Sequence, residues 1–312
     1  MTLPPGHSGF FSAPAQTLDP DLFDGMQLKP VVRHWLVSTL TSGLRRYLDL
    51  TGADEWLHAW LAGSGITYQW AGDRGATGDL DVLFGVDMQA FTRLNPEYSG
   101  LPESYVADRA DEVLRQKLWP ATAHQVFGQQ TYEVTFFWSA ETGKDITRIH
   151  PYAAYDLKSD VWVVPPPTLP SDPHAIYPGD WYAAAGQDVD AAETIASRHG
   201  SLLDQLSSTA LGSPQARNIM VQLQNVRGSA RSLFDDIHLG RREAFGEQGH
   251  GYGDWHNFRW QHAKASGVVG ALSAIKAAED ADTLATKEFI NRSIDGPETI
   301  LTRDMLRYGK TP

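Results

Sequence analysis

The chain contains no cysteine. That excludes a disulfide framework and any zinc site built on thiolates, and it suits a reducing compartment. No apolar run approaches the length of a membrane span, and Met1 to Ala15 has neither a basic segment nor a sustained apolar one. Neither membrane insertion nor a secretory signal is expected, and the expected location is the cytoplasm. Basic residues are in deficit: 26 Lys and Arg against 38 Asp and Glu give a formal net charge of −12. Surfaces that grip duplex DNA nonspecifically are usually basic, so duplex DNA is not an expected partner, although a local basic groove is compatible with this total. Also missing are a Gly-x-Ser-x-Gly elbow, a P-loop lysine motif and, in a strand-to-helix context, a dinucleotide fingerprint. What is left is a soluble chain of 312 residues, 42% apolar and 21% charged, long enough for two domains.

Its most informative stretch runs from Trp70 to Phe84. An alternating segment, Ile66-Thr67-Tyr68-Gln69-Trp70, reads as a strand entering a glycine-bearing turn. A second apolar strand leaves that turn on two aspartates one residue apart. Residues i and i+2 of a strand share a face, so Asp79 and Asp81 stand side by side. Two carboxylates that close repel each other unless a cation lies between them or one is protonated. Mg²⁺ (or Mn²⁺) accepts such oxygen ligands and keeps positions open for phosphate, and backbone N–H groups around Gly72 and Gly75 suit an anion. A divalent cation and a phosphate cradle in one corner point to phosphoryl-transfer chemistry. The competing structural reading is a surface turn with two solvated aspartates.

On these residues, the segment from about 30 to 165 resembles the nucleotidyltransferase superfamily, the polymerase-beta-like fold. Its hallmark is a Gly-rich turn, then Asp-h-Asp-h on a strand, then a third acid on a later strand. Gly72 and Gly75 match the turn, and Asp79-Leu80-Asp81-Val82 matches the acidic pair. Asp73 stands where the family has serine, and the loop before the aspartates is short. The resemblance implies an α/β (α+β) fold with a small mixed sheet and flanking helices, followed by a helical domain. It also implies two-metal transfer of a nucleoside monophosphate from a nucleoside triphosphate to an acceptor, with release of pyrophosphate. The acceptor stays open among RNA, protein and small molecule. Under the resemblance Asp79, Asp81 and Glu133 are the catalytic and metal-binding residues, and Gly72, Asp73, Arg74, Gly75 and Thr77 contact the nucleotide.

Taken in order, residues 1 to 29 are rich in Pro, Gly and Ser and read as an arm or a strap. Pro30 suits a first helical turn, and Val32, Leu36, Leu40, Leu44, Tyr47 and Leu48 follow at helical spacing. Asp54 to Ala62, with Trp56, Leu57, Trp60 and Leu61, reads as a short helix stopped at Gly63. Val106, Ala110, Val113, Leu114 and Lys117 predict another, closed by Pro120. Gln130 to Trp138 is β-branched and aromatic, hence a strand, with Glu133 on the face opposite Tyr132, Val134, Phe136 and Trp138. Glu133 is the candidate third acid, though an edge glutamate facing water would show the same pattern; Asp145 reads as a turn residue. Tyr152, Tyr155 and Trp162 suit packing better than base stacking. The proline run from Pro165 to Pro173 is stiff and extended, and marks the end of a catalytic domain over 30–173.

Residues 174–312 read as a helical substrate domain, with helices over Ala191–Leu211, from Pro214, over Asp254–Ala278 and over Pro297–Tyr308. On the helix from Pro214, Arg227, Arg231, His238 and Arg242 fall within an arc of roughly 60° at about 100° per residue. With Arg259 and Lys264 they form a candidate surface for a triphosphate or an RNA backbone. The bland reading is a solvated face paired with Asp235, Asp236 and Glu243. In the loop Gly249–Trp260, His250, Asp254 and His256 match no known zinc spacing, and Asp254 suits a helix cap. Two rival classes remain open: a noncatalytic nucleotide- or RNA-binding relative, and a structural or interaction protein whose 10 tryptophans pack a core and a partner surface.

Overall fold

The computed structural model describes residues 2–6, 8–72, 78–210, 212–246 and 248–280. Residues 8–29 form a strap pinned into the core by Leu18, Leu22, Phe23 and Leu28, all buried. Within it Phe23–Asp24 (β1) pairs with Gln27–Leu28 (β2). Pro30 occupies the first turn of the helix Pro30–Leu48 (α1), as its fixed φ favours. The chain then passes through Ala53–Trp56 (α2), Leu57–Ala62 (β3), Tyr68–Gly72 (α3), Gly78–Val86 (β4), Met88–Leu94 (α4), Glu103–Lys117 (α5) and Trp119–Thr122 (α6). Strands Gln125–Phe127 (β5), Gln130–Trp138 (β6), Ala154–Asp156 (β7) and Val161–Val164 (β8) follow, and the helices Gly179–Ser207 (α7), Pro214–Ala244 (α8) and Trp255–Ala265 (α9) come last. A further helical run covers 268–280.

This is the mixed α/β class expected, with a six-stranded sheet in the order β5-β6-β4-β3-β7-β8. The β4–β6 pair is parallel and the other pairs are antiparallel. Parallel neighbours need a crossover, and α4 to α6 lie between these two strands in the chain. One face of the sheet carries Leu80, Val82 and Phe84 from β4 and Tyr132, Val134, Phe136 and Trp138 from β6. They pack with the stripe Val32, Leu36, Leu40 and Leu44 of α1 and with Val106, Ala110 and Leu114 of α5. The period of two in the strands thus meets the longer period in the helices.

Two local expectations are corrected. The helix expected over Asp54–Ala62 stops at Trp56, and Leu57–Ala62 is a strand with neighbours on both sides. Five of its six residues are buried, so it lacks alternation, and a short continuous apolar run fits either structure. The strand expected over Ile66–Trp70 is instead a 3-10 turn at Ser64–Ile66 followed by α3. Smaller differences occur at Pro120, which lies inside α6 rather than ending α5, and at the start of α7. The run from Asp254 to Ala278 is interrupted by a turn at 266–267. Gly228 and Gly240 leave α8 unbroken. The helix expected over Pro297–Tyr308 lies outside the described residues.

Two compact units divide the chain. The sheet-bearing unit comprises 8–183 and 239–262, so it includes a segment of the expected helical domain 174–312. The other comprises 1–7, 184–238 and 263–312. In that helical unit Leu202, Ile219, Leu223 and Val226 pack between α7 and α8. The run 268–280 is tied to α8 by Arg231, which pairs with Glu279 and Asp280, and by Lys276, which reaches Asp235 at 2.7 Å and lies over the Phe234 ring. Among the described residues no helix is long and apolar enough to cross a membrane.

The strap is anchored by the buried carboxylate of Asp19. Its Oδ2 accepts the Tyr132 hydroxyl at 2.7 Å and the Trp70 indole N–H at 3.1 Å, and Oδ1 accepts the Asp21 N–H at 2.9 Å. Removing it leaves buried donors without an acceptor. Asp19→Ala is expected to cost about 3 kcal/mol in urea unfolding, and Tyr132→Phe about 1 kcal/mol. A loss below about 1 kcal/mol for Asp19→Ala would show that the anchor is dispensable.

Candidate functional site

The second face of the sheet carries the polar residues. Because β4 and β6 run parallel in register, Asp79 lies opposite Glu133 and Asp81 opposite Thr135. Asp79 is exposed, while Asp81, Glu133 and Thr135 are half-buried. The Thr135 hydroxyl donates to Asp81 Oδ1 at 3.0 Å, and the Trp119 indole N–H donates to Glu133 Oε1 at 3.0 Å. On the other side of β4, the neighbour of Asp81 is the small residue Ala62. Gly63 follows with φ 93, and a Cβ there would stand 3.0 Å from Asp81 Oδ2. Only glycine meets both the backbone angle and the closeness of that carboxylate.

Burial raises the Asp81 carboxyl to about 7, and the charge of Asp79 adds to the effect. The Thr135 hydrogen bond and the positive charge of Arg241 act in the opposite direction, and Glu133 raises it slightly further. Three acids thus build a negative field that a cation would relieve. Two carboxylates of this kind fit a hard divalent ion such as Mg²⁺, which commonly binds one or two protein carboxylates and fills its other positions with water and phosphate. Glu133 is directed toward Trp119, and among the described residues no group of three or more His, Asp or Glu side chains is gathered as a metal-ligand set.

A cleft of about 530 Å³ opens beside Glu133, between the outer edge of β6 and α5. Trp119 and Phe137 are among its lining residues and are 39% and 40% exposed, which suits stacking of an incoming ring. At the cleft's other wall Asp111 accepts the Trp138 N–H at 2.7 Å. Burial pushes Asp111 up to about 6, against the effect of that bond, and Asp108 adds to the rise.

Ahead of β4, α3 is held from both sides. The strap donates Ala15 N–H to Tyr68 O at 2.9 Å, and Gln69 bonds Phe10 O and the Tyr252 hydroxyl. Gly72 has Ala13 O within 2.3 Å of where a Cβ would stand, so the strap itself requires a glycine there. Asp73, Arg74, Gly75 and Thr77, the other expected nucleotide contacts, lie outside the described residues, as does the Asp73 departure.

The expected cationic stripe divides. Arg227, Arg231, His238 and Lys264 belong to the helical unit, and Arg231 is engaged by Glu279 and Asp280. Arg242 and Arg259 belong to the sheet-bearing unit, on α8 and α9. The cation whose charge reaches Asp81 is instead Arg241, one residue from Arg242. A stripe drawn on one helical face passes over it. Its signal in the sequence was Phe245, four residues on, whose ring the guanidinium overlies. Asp254 is the cap expected, accepting from His256 N–H at 2.8 Å and His250 N–H at 3.1 Å. Tyr152 and Tyr155 are buried, as the packing reading expects, and Asp145 holds a turn through Thr147.

Comparison with known proteins finds no family model, no curated protein and no solved structure that matches the chain.

The acids carry a pH signature. Asp81 and Asp111 have folded-state pKa values above the unfolded carboxylate value, so each contributes stability that is complete below about pH 4. That contribution is lost as pH rises through about 7 for Asp81 and about 6 for Asp111. Asp111→Asn keeps an acceptor for Trp138 and removes the titration. Relative to wild type it is expected to gain about 1–2 kcal/mol of urea stability at about pH 8 over its value at about pH 4, after allowance for partial exposure. Parallel pH profiles for the two proteins would refute the assignment.

Proposed function

We propose that the chain is a metal-dependent nucleotidyltransferase that moves a nucleoside monophosphate from a nucleoside triphosphate to an acceptor hydroxyl or phosphate. One observation carries the reading: the parallel register sets Asp79 and Asp81 on one sheet face with Glu133 across from Asp79. The order along the chain also suits it, since β4 carries the acidic pair and the later strand β6 carries the third acid, as the resemblance implies. Asp79 and Asp81 would hold Mg²⁺ or Mn²⁺, and when bound the ion supplies charge neutralisation for the triphosphate. Thr135 fixes the orientation of the Asp81 carboxylate, and Trp119 that of Glu133.

Glu133 is the base in this scheme. It takes the acceptor's proton as the acceptor oxygen bonds to the α-phosphorus and the bond to pyrophosphate breaks. Trp119 and Phe137 line the space beside it, where a nucleobase or the acceptor has room. The cytoplasm, where triphosphates and Mg²⁺ are plentiful, is the location that goes with this activity. A noncatalytic nucleotide- or RNA-binding protein is the second reading, favoured by Asp73 standing where the resembled family has serine.

The test is incubation with each α-labelled triphosphate, Mg²⁺ or Mn²⁺, and RNA, protein and small-molecule acceptors. Wild type is expected to transfer label, and the Asp79→Ala, Asp81→Ala double variant, checked for folding, to transfer none. Glu133→Gln should bind triphosphate but turn over poorly. Mg²⁺ added to weakly buffered wild type at about pH 7 should release protons from Asp81, and none from Asp81→Asn. Triphosphate binding without turnover would favour the second reading. Transfer that survives the double variant would end the proposal.

A further inference from the structure

Arg241 lies in the last turn of α8, within the sheet-bearing unit. Its guanidinium carbon stands 5.2 Å from the Trp260 ring centroid and 6.0 Å from that of Phe245. Both rings are fixed in turn. Trp260 is 9% exposed, and Phe245 packs at 5.1 Å on Tyr152, whose hydroxyl donates to Asn257 at 2.6 Å and accepts from Gln261 at 2.9 Å. Tyr152 precedes Ala153, whose carbonyl receives Gly63 N–H, and Gly63 abuts the Asp81 carboxylate. A continuous set of contacts therefore joins the clamp around Arg241 to the acidic corner.

Ring contacts hold a guanidinium without using its N–H groups. Arg241 Nε is buried, and among the described residues it has no hydrogen-bond partner. No ion pair joins Arg241 to Asp81 among the described residues, although the positive charge of Arg241 acts on the Asp81 carboxyl. A buried, oriented and unsatisfied donor is costly unless a ligand completes it. Arginine forks match phosphate oxygens, and a phosphate between this cation and a metal held by Asp79 and Asp81 would satisfy both sides.

We infer that Arg241 is a phosphate-binding residue, held by Trp260 and Phe245 to take the polyphosphate of the ligand that the Asp79–Asp81 corner receives. The inference rests on the metal–phosphate reading of that corner and adds the residue that recognises the anion.

Binding of inorganic tripolyphosphate in the presence of Mg²⁺, and of Mg²⁺ alone, is measured by calorimetry for wild type, Arg241→Gln, Arg241→Lys and Arg198→Gln. The last makes the same charge change at an exposed helical-unit arginine bonded to Gln222. Wild type and Arg198→Gln are expected to bind tripolyphosphate alike. Arg241→Gln is expected to lose at least about tenfold, and Arg241→Lys to fall between, keeping the charge but not the fork. Mg²⁺ alone should bind Arg241→Gln as well as wild type or better, because a nearby cation has been removed. Weakened binding of both ligands would make Arg241 a structural support and overturn the inference, as would unchanged tripolyphosphate affinity. If wild type transfers label from triphosphates but does not bind tripolyphosphate, the inference fails and the transferase reading stands. If tripolyphosphate binding depends on Arg241 but no label is transferred, the inference stands and the transferase reading fails. If Arg241→Gln does not fold, Arg241→Lys decides, and wild-type affinity in that variant counts against the fork.

Discussion

A slip of one residue between β4 and β6 would turn one strand over. Asp79 and Asp81 would then enter the core while Leu80 and Val82 met water, or Glu133 would exchange with Val134. Burying a carboxylate without a partner and exposing two large apolar side chains are both unfavourable, so the hydrophobic face enforces the register of the polar one. The candidate site is thus a consequence of core packing on the opposite side of the same two strands. What the site adds is small residues at its margin, Ala62 and Gly63, that leave room for Asp81.

The helix α3 has only five residues and would be weak alone. Its position depends on partners remote in sequence. Asp19 reaches Trp70 from the strap, Phe10 O receives Gln69, and Tyr252 reaches the same Gln69 from the glycine-rich loop. A loop rich in Gly, His and aromatics thereby acts on α3 through packing: Tyr252 and Phe258 enter a cluster with Phe10, Phe11, Tyr177 and Trp181. Contacts at both sides thus fix a short element that would not hold its place alone.

What was legible in the sequence follows from how far each signal extends. β4 and β6 alternate cleanly because one face is core and the other polar, so both strands and the shared face of Asp79 and Asp81 could be read. β3 has neighbours on both sides and is buried on both faces, so it shows a plain apolar run that reads equally as a helix. Glu133 was expected only as the third acid on a later strand, and nothing local encodes that β6 lies parallel to β4 with Glu133 opposite Asp79. Arg241 was hidden for another reason. Helical periodicity identifies a face, whereas Arg241 is defined by Trp260, nineteen positions on and in another helix.

Charge supplies the last step. The sheet-bearing unit sets Asp79 and Asp81 on one sheet face with Glu133 across from Asp79, and burial pushes the Asp81 carboxyl up to about 7. Like carboxylates beside a semi-buried one oppose the charged form, so such a corner is held in place by packing that more than offsets its repulsion. Proteins keep such arrangements where a ligand completes them. Arg241 alone does not complete this one, because among the described residues it makes no ion pair with Asp81 and is held by the Phe245 and Trp260 rings. A cation between the aspartates and an anion between that cation and Arg241 would leave each of these groups with a partner. Under the proposed reading, the acids would be the negative side of such a site and Arg241 its positive side, with the ions supplied by the ligand.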